Sequence, residues 1–531
     1  MGSSTITRPK REVPANTGNT MRQFGSRTQW FALIALVVGL FAYWLTHAGL
    51  TDDGYITLDY ARAFATDGTW GMTPGLESNS ATSPFNVLLL AGLMFLAKLI
   101  TGETSPIIVL GIVTVAAMVA TAAWWSVISK RLGISWSSAL TGLVLVLLSP
   151  FALSVVGLET QLLLALLVGL FAEGLRGRPV LFGVLAGLTI LTRLDSVIVV
   201  FALSLALAGV RRKWWRALVP TLIVGLPWFV TSWLTLGSAI PDTLAIKQQT
   251  ELPGGWTFKT GLWLFVSSAN SAVPAILSLI PAVLGLIALI YWVAKVRGGR
   301  LAPLAILGGA GVLYFLVYLA IDPAAFLWYY VPTVALLTFF FAGALDPLSM
   351  RIRAVRASAL RAVVGLVLAV GTLIPELLHG LPWQTPPIFG NWALPTEYMR
   401  IGNDLATRLN GEGMLAPGEV GTLMFGCQCD IIDQFSDRGA AIPYLRRQVN
   451  KAGPLTKWAY ELNYANLDWT KQRTPLRWRM EWHPGWISPR PDVWNVHSPG
   501  IGPGHFIMLP IDAPKSPVIF PPEKPYYPPE S

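Results

Sequence analysis

Eleven apolar runs divide this chain, and short polar loops separate most of them. A helix that crosses the hydrocarbon core of a bilayer needs about 20 mostly apolar residues. Of the 531 residues, 53% are hydrophobic and only 13% charged, against roughly 25% charged in soluble domains. The sequence therefore predicts a polytopic α-helical membrane protein with about eleven transmembrane helices. The predicted spans are 30–47, 106–128, 134–152, 161–175, 180–192, 197–210, 217–234, 273–294, 301–321, 329–345 and 359–378.

The basic residues fix the predicted orientation. Most basic residues fall in loops on one side of the predicted spans: Lys130, Arg131, Arg176, Arg178 and the clusters within 211–216, 295–300 and 351–356. Cytoplasmic loops are enriched in Lys and Arg, so this side is predicted to be the cytoplasmic one. That bias accounts for the formal charge of +10 without a nucleic-acid partner. The segment 84–100 is apolar enough to span, but a crossing there would reverse every later loop. We therefore expect a re-entrant or interfacial helix at 84–100.

Four regions follow from this pattern. Residues 1–29 form a predicted disordered cytoplasmic tail, and 30–378 form the transmembrane domain, whose first outer loop is 49–83. An odd number of spans places 379–509 outside the cell as a small soluble α/β domain, before a Pro-rich tail at 510–531. Within the soluble domain, the pattern predicts a helix at 397–409 and strands at 419–425 and 430–435.

The few cysteines and histidines suggest no metal centre and no disulfide framework. Cys427 and Cys429 are too close in sequence for a routine structural bridge. The five histidines lack the spacing of metal ligands. No cofactor is predicted, and a divalent metal is possible but not indicated.

Two adjacent carboxylates, Asp52 and Asp53, follow the first span by a few residues, so they lie at the membrane surface, where a lipid-linked substrate presents its head group. A carboxylate in that position can take a proton from an attacking hydroxyl. Alternatively, the two aspartates cap the helix that begins near Tyr55, since Asp is a favoured N-cap residue. The sequence leaves both interpretations open.

Polar residues of the same loop, including Tyr55, Glu77 and Asn79, can line a sugar site or form a solvated turn. Arg62 adds a positive charge to the same loop.

Three further charges, Glu159, Arg193 and Asp195, lie in apolar surroundings, where a charge costs about 2.5 to 3.5 kcal/mol on insertion scales. Arg193 either neutralises a phosphate or joins Asp195 in a structural pair. Lys247 lies beside the outer surface and either binds a lipid phosphate or snorkels to the interface.

Together these segments resemble the multi-spanning glycosyltransferases of the GT-C fold, and within them the arabinofuranosyltransferases that finish the cell-envelope arabinan of mycobacteria and corynebacteria. Two places depart from the family pattern, Leu194 and the sequence after Gly75. The resemblance rests on five short segments. The segments are Asp52 to Arg62, Glu77 to Pro84, Gly157 to Thr160, Leu191 to Asp195, and Pro241 to Lys247.

The resemblance implies an inverting, single-displacement transfer of arabinofuranose from a polyprenyl-phosphate donor to a cell-envelope polysaccharide on the extracytoplasmic face of the cell membrane. It implies that Asp52 or Asp53 is the base, that Arg62, Arg193 and Lys247 bind the donor phosphate, and that the remaining polar residues bind substrate. Those residues are Tyr55, Glu77, Asn79, Glu159 and Asp195. A transporter or flippase of lipid-linked sugars and a ligase of lipid-linked glycans are the alternative functions.

Overall fold

A computed structural model describes residues 18–249, 253–349, 365 and 380–514. The membrane part consists of helices α1 to α16. In chain order they are Gly18–Thr46, Asp52–Asp67, Pro84–Thr101, Pro106–Arg131, Trp136–Leu147, Pro150–Leu153, Thr160–Leu175, Pro179–Thr192, Val197–Ala206, Ala208–Arg211, Trp214–Thr235, Thr243–Lys247, Phe258–Ser267, Ala272–Tyr291, Ala302–Ile321 and Val331–Ser349.

The helices have two distinct ends. α1 and α4 run antiparallel, because Tyr43 donates a hydrogen bond to the carbonyl of Ile107 while Arg27 reaches Ser129 at 3.2 Å. Near the Arg27 end, Arg300 donates to the carbonyl of Gly133 at 3.2 Å. We call this end, which carries clustered basic residues, the basic face. The C-terminal domain packs on the opposite end, which we call the domain face.

The hydrophobic pattern located the spans well. Eight helices within the described ranges are long and apolar enough to cross a membrane, and three shorter apolar helices accompany them. Ten of the predicted spans coincide with helices of the structure, and the predicted span at 359–378 lies outside the described residues apart from Gly365. Residues 1–17 of the predicted disordered tail lie outside the described residues. α1 begins at Gly18, so residues 18–29 continue the first membrane helix instead of forming a tail.

Helix α3 begins and ends on the domain face. Just before it, Ser80 donates to the carbonyl of Phe435 in the C-terminal domain at 2.6 Å. Near its other end, Lys98 lines a cavity together with Arg62 of α2 and Phe425 of the C-terminal domain. Although its 18 residues are long and apolar enough to span, this placement agrees with the predicted re-entrant or interfacial helix.

The C-terminal part is a small α/β domain, as predicted. A five-stranded sheet has the order β2-β1-β3-β5-β4, with β1 parallel to both neighbours and the β3-β5-β4 portion antiparallel. The predicted helix at 397–409 is confirmed as α17. The helices α17 to α20 are Pro395–Arg408, Gly421–Cys427, Arg438–Lys451 and Pro454–Asn463, and the strands β1 to β5 are Met414–Leu415, Ile431–Ile432, Trp478–Pro484, Val493–Ser498 and Gly502–Pro510.

Two local predictions in this domain were wrong. Residues 419–425 do not form a strand, because most of them belong to α18, whose first amide groups are satisfied by a carboxylate from the membrane part. The predicted strand at 430–435 is reduced to the two residues of β2. Cys427 and Cys429 do form a disulfide. Gln428 between them adopts a left-handed conformation with φ of 50°, and their Cα atoms lie 5.1 Å apart, within the ordinary range for bridged cysteines.

Candidate active site

Helix α2 carries the two adjacent aspartates in its first turn, where acidic side chains interact favourably with the helix dipole. Its N-cap residue is Thr51, and it ends at Gly68 with φ of 72°, a conformation that glycine adopts at little cost. Neither aspartate is therefore the N-cap of the helix in which it lies. The two side chains nevertheless have different surroundings.

Asp52 is buried, with 5% of its surface exposed, and both of its carboxylate oxygens are occupied. Oδ2 accepts hydrogen bonds from the backbone amides of Val420 and Gly421, each at 3.0 Å, and Oδ1 accepts one from Thr422 at 2.7 Å. Asp52 thus caps α18 across the junction between the membrane part and the C-terminal domain. Burial raises the pKa of the Asp52 carboxyl, while the amide hydrogen bonds from Thr422 and Gly421 act in the opposite direction.

Asp53 is half-buried, and among the residues that the structure describes its carboxylate accepts no hydrogen bond and joins no ion pair. Its position is set by the backbone beside it. A Cβ on Gly54 would lie 3.3 Å from the Cα of Gly157, and one on Gly157 would lie 3.0 Å from the Cα of Gly54. Two glycines therefore let the first turn of α2 pack directly on the loop that leads to Glu159.

Glu159, Arg193 and Asp195 form one ionic cluster, so the structure brings together three of the predicted site residues. Arg193 donates to Glu159 at 2.8 Å and, through Nε, to Asp195 at 3.1 Å. Asp195 also accepts hydrogen bonds from the hydroxyls of Tyr314, at 2.9 Å, and Tyr318. The cluster joins α7, the turn between α8 and α9, and α15. Since two carboxylates already pair with the guanidinium, this geometry favours the structural interpretation of Arg193.

Lys247 has different surroundings. Among the described residues its ammonium group pairs with no carboxylate and lies over the rings of Phe326 and Trp328, 4.5 and 5.1 Å from their centroids. Arg193 lies over the neighbouring Tyr329, 5.4 Å from its centroid. The aromatic loop, residues 326–329, therefore contacts both cations. Cations bind the faces of aromatic rings without losing their charge, so Lys247 remains available to an anion.

The segment that carries Lys247 is held by the first loop and by the C-terminal domain. Asn79 donates to the side chain of Ser232 at 3.0 Å and to the carbonyl of Ser238 at 2.8 Å, and its own carbonyl accepts from the amide of Asp242. Arg438 of α19 forms a buried ion pair with Asp242. Asn79 is thus an anchor in this structure and does not point into an open site.

The other predicted residues lie elsewhere. Tyr55 is buried, and its ring packs against Phe425 of α18 at 5.1 Å. Glu77 is exposed. Arg62 donates to Asp59 at 2.6 Å and to the carbonyl of Phe425 at 3.2 Å. In the described part of the chain, none of these three side chains has a hydrogen bond or ion pair with Arg193 or Lys247.

Sequence analysis missed several residues that shape the site. The aromatic loop lies between the predicted spans 301–321 and 329–345, and its density of aromatic rings was visible in the sequence. Arg438 and Glu419 gave no local signal, since their partners lie in distant segments. The described residues contain no group of three or more His, Cys, Asp or Glu that could hold a metal ion.

Comparison with known proteins identifies the fold. No protein-family model and no curated protein matches the chain. ArnT from Cupriavidus metallidurans in the apo state has a TM-score of 0.54 at 14% identity, over 90% of this chain and 97% of that chain. The same protein bound to undecaprenyl phosphate has a TM-score of 0.50 at 14% identity, over 93% and 98%. An oligosaccharyltransferase from Archaeoglobus fulgidus has a TM-score of 0.48 at 12% identity, over 86% and 69%.

The chain has the GT-C fold. This is the fold that the sequence predicts, and identities this low concern the fold alone. The arabinofuranosyltransferase subgroup stays a prediction. In this GT-C protein the candidate site therefore consists of α2, the ionic cluster and the aromatic loop, all on the domain face.

Glu419 makes the stability of the C-terminal domain sensitive to pH. Its carboxylate accepts hydrogen bonds from the amide of Trp392 at 3.0 Å and from the hydroxyl of Tyr398. Burial, with the nearby charge of Asp52, raises the pKa of Glu419 to about 8. Because the folded chain keeps this proton up to a higher pH than the unfolded chain, whose Glu pKa is about 4.3, the contribution of Glu419 to stability falls as the pH rises between these values.

We expect the melting temperature of the purified protein to fall between pH 5 and 8, and Glu419→Gln to flatten the profile, since one titrating group contributes at most about 1.4 kcal/mol per pH unit. The measurement is thermal unfolding of wild type and variant in the same buffers. An unchanged slope in the variant would show that other groups cause the dependence.

The ion pair between Asp242 and Arg438 predicts a second effect on stability. Their side chains are only 1% and 6% exposed, so Arg438→Met leaves a buried carboxylate without its cation, at a cost of about 3 to 5 kcal/mol. The double variant Asp242→Asn with Arg438→Met removes both charges and is expected to recover much of the loss. Thermal unfolding of the single and double variants tests this, and equal losses in both would contradict a charge-pairing role.

Proposed function

We propose that this protein is a membrane glycosyltransferase that transfers a sugar from a polyprenyl-phosphate donor to a cell-envelope glycan by single displacement. The observation that carries the proposal is that Asp53 and Lys247, a carboxylate and a cation that form no ion pair within the described residues, lie on the same face of a GT-C fold. The solved structure of ArnT with undecaprenyl phosphate supports a lipid-phosphate donor. The fold comparison does not favour the transporter alternative.

The finer assignment is to arabinofuranose as the sugar and arabinan as the acceptor. It rests on the motif resemblance that begins at Asp52 and Asp53. The domain face is the extracytoplasmic side in this proposal, because the opposite end carries the basic clusters that mark cytoplasmic loops. The protein is then a multi-pass cell-membrane enzyme whose N-terminus is cytoplasmic and whose C-terminal domain lies outside.

Asp53 is the base in the proposed reaction. Its carboxylate takes the proton of an acceptor hydroxyl as that oxygen forms a bond to the anomeric carbon of the donor. The bond between this carbon and the phosphate oxygen breaks, and its electron pair leaves with the polyprenyl phosphate. Attack from the face opposite the leaving group inverts the configuration. Asp52 holds Asp53 in place through its three hydrogen bonds to the C-terminal domain.

Lys247 is the cation that stabilises the departing phosphate. A charge fixed where negative charge develops lowers the barrier without reorganisation during the reaction, and the aromatic loop and the Asp242 ion pair keep this Lys in position. Arg193, with its two carboxylates, is a positioning residue that fixes Tyr329 beneath it. Arg62 has its own carboxylate partner, so we leave it out of the phosphate site.

The first test compares transfer from polyprenyl-phosphate arabinofuranose to a short arabinan acceptor in membranes that contain wild type, Asp53→Asn or Asp52→Asn at matched amounts. We expect Asp53→Asn to lower kcat by about 10²- to 10⁴-fold, the usual contribution of a general base, without lowering the melting temperature. Asp52→Asn is expected to lower the melting temperature. The exposed Asp468 offers the control Asp468→Asn.

The outcomes separate the parts of the proposal. If the wild type transfers no sugar from this donor, the assignment of arabinofuranose is wrong, and other lipid-linked sugars are then tried. Full activity in the Asp53→Asn variant would show that Asp53 is not the base.

The second test concerns Lys247. Replacing one fixed donor to a developing negative charge commonly costs about 10²- to 10³-fold in kcat, so we expect Lys247→Met to lose activity on this scale and Lys247→Arg to keep more of it. Lys259 is the matched control, because it lies on the same face in an ion pair with Asp322 at 3.1 Å. A loss in Lys259→Met as large as in Lys247→Met would mean that the surface charge matters and not the site.

A further inference from the structure

Helix α20 of the C-terminal domain keeps an apolar stripe at the protein surface. All ten of its residues lie in the described part of the chain, and each is exposed or half-buried. The apolar ones recur at the spacing i, i+3, i+4 and i+7, which places them on one face of a helix. This apolar stripe consists of Leu455, Trp458, Ala459 and Leu462, of which the three large side chains are 79%, 61% and 53% exposed in that order.

The other side of α20 is polar. Lys457 and Glu461 lie one turn apart, 47% and 58% exposed, and their charged groups are 4.0 Å from each other. At the edge between the two sides, the side-chain oxygen of Asn463 accepts the backbone amide of Ile240 at 2.8 Å. A helix with Trp and Leu on one face and charges on the other has the pattern of a helix that lies in the plane of a membrane interface.

The position of α20 agrees with this pattern, because it lies at the end of a membrane helix. α11 is long and apolar enough to span, and its exposed apolar residues continue to Leu234, 62% exposed, one residue before its end. Next to it, Trp233 donates from Nε1 to the carbonyl of Leu462 at 2.9 Å, and its own carbonyl accepts from Asn466 at 3.2 Å. Trp side chains are enriched at the membrane–water interface, so α20 lies at the level where α11 leaves the lipid.

The continuity of these two apolar surfaces selects the bilayer as the partner of the stripe. Leu234 meets lipid when α11 spans, and Leu462 is held directly beside it by the hydrogen bond from Trp233. A glycan or a second copy of the chain would have to cover the stripe at a level that lipid already occupies.

We propose that α20 is an interfacial helix whose apolar stripe inserts into the leaflet on the domain face, so that the bilayer itself holds the C-terminal domain in place. The insertion also reaches the segment 240–249, since the hydroxyl of Tyr460 donates to the side chain of Gln248 at 3.1 Å and Asn463 holds Ile240. The inference goes beyond the proposed function and does not depend on it.

The test locates single positions of α20 relative to the lipid. The chain has only two cysteines, and they are joined in a disulfide, so a fluorophore can be attached to one introduced cysteine. The labelled variants are Leu455→Cys and Trp458→Cys, each as the full chain in phosphatidylcholine nanodiscs with one chain per disc. The matched control is Glu461→Cys, on the polar side of the same helix and similarly exposed. Two quenchers are compared, a lipid that carries a nitroxide near its head group and iodide in the water.

We expect the nitroxide lipid to quench the labels at 455 and 458 at least about threefold more than the label at 461, because the apolar face of an interfacial helix lies about 5 to 10 Å deep. Iodide should show the opposite order. Equal iodide quenching at all three positions overturns the inference, since the stripe then faces water. Protection of 455 and 458 from both quenchers also overturns it, since another macromolecule or a glycan then covers the stripe.

Hydrogen exchange tests the link to the segment 240–249. In nanodiscs, Trp458→Asp should speed the exchange of the amides in this segment by about tenfold, because exchange reports local opening, and Glu461→Ala should leave it as in wild type. Melting temperatures of both variants show whether each is folded. Unchanged exchange in a folded Trp458→Asp variant would mean that insertion of α20 does not hold the segment.

Discussion

The contact on which the rest of the site depends is the carboxylate of Asp52 against the first turn of α18. Burying a charge is costly unless it is fully hydrogen-bonded, and here three backbone amides meet two carboxylate oxygens at 2.7 to 3.0 Å. Gly421 makes the approach possible, since a Cβ there would collide with the carbonyl of Asp52. This contact sets the position of α2, and with it the direction of Asp53 and the contact between Arg62 and Phe425.

The C-terminal domain is consequently part of the site and not an appendage. Ser80 donates to Phe435, Arg62 donates to the carbonyl of Phe425, and Arg438 pairs with Asp242. Each contact holds a segment of the membrane part, namely the first loop, helix α2 or the segment that carries Lys247. The domain thereby holds the first loop and the Lys247 segment on one face, although membrane helices and a long stretch of sequence separate them.

How far the sequence predicted the structure depends on the separation of the interacting residues. The membrane helices and the clustered basic loops were predictable, because apolar runs and charge are local properties. The pair of Arg193 and Asp195 was visible for the same reason. The partners of Asp52 lie 368 to 370 residues away, so neither its role nor the helical state of 421–427 could be inferred. Tyr314 and Tyr318, which bond Asp195, are likewise 119 and 123 residues distant.

The two adjacent aspartates illustrate why a motif alone could not separate their roles. Neighbouring residues on a helix point in different directions and do not share a face. Asp52 accepts three backbone amides at the junction with the C-terminal domain, while Asp53, the next residue, accepts none of them. The carboxylate oxygens of Asp52 therefore hold α18, whereas those of Asp53 are left for the proposed substrate. In the proposed reaction the base exchanges a proton in every cycle, which a carboxylate that caps another helix cannot do, so the cap and the proposed base are two consecutive residues.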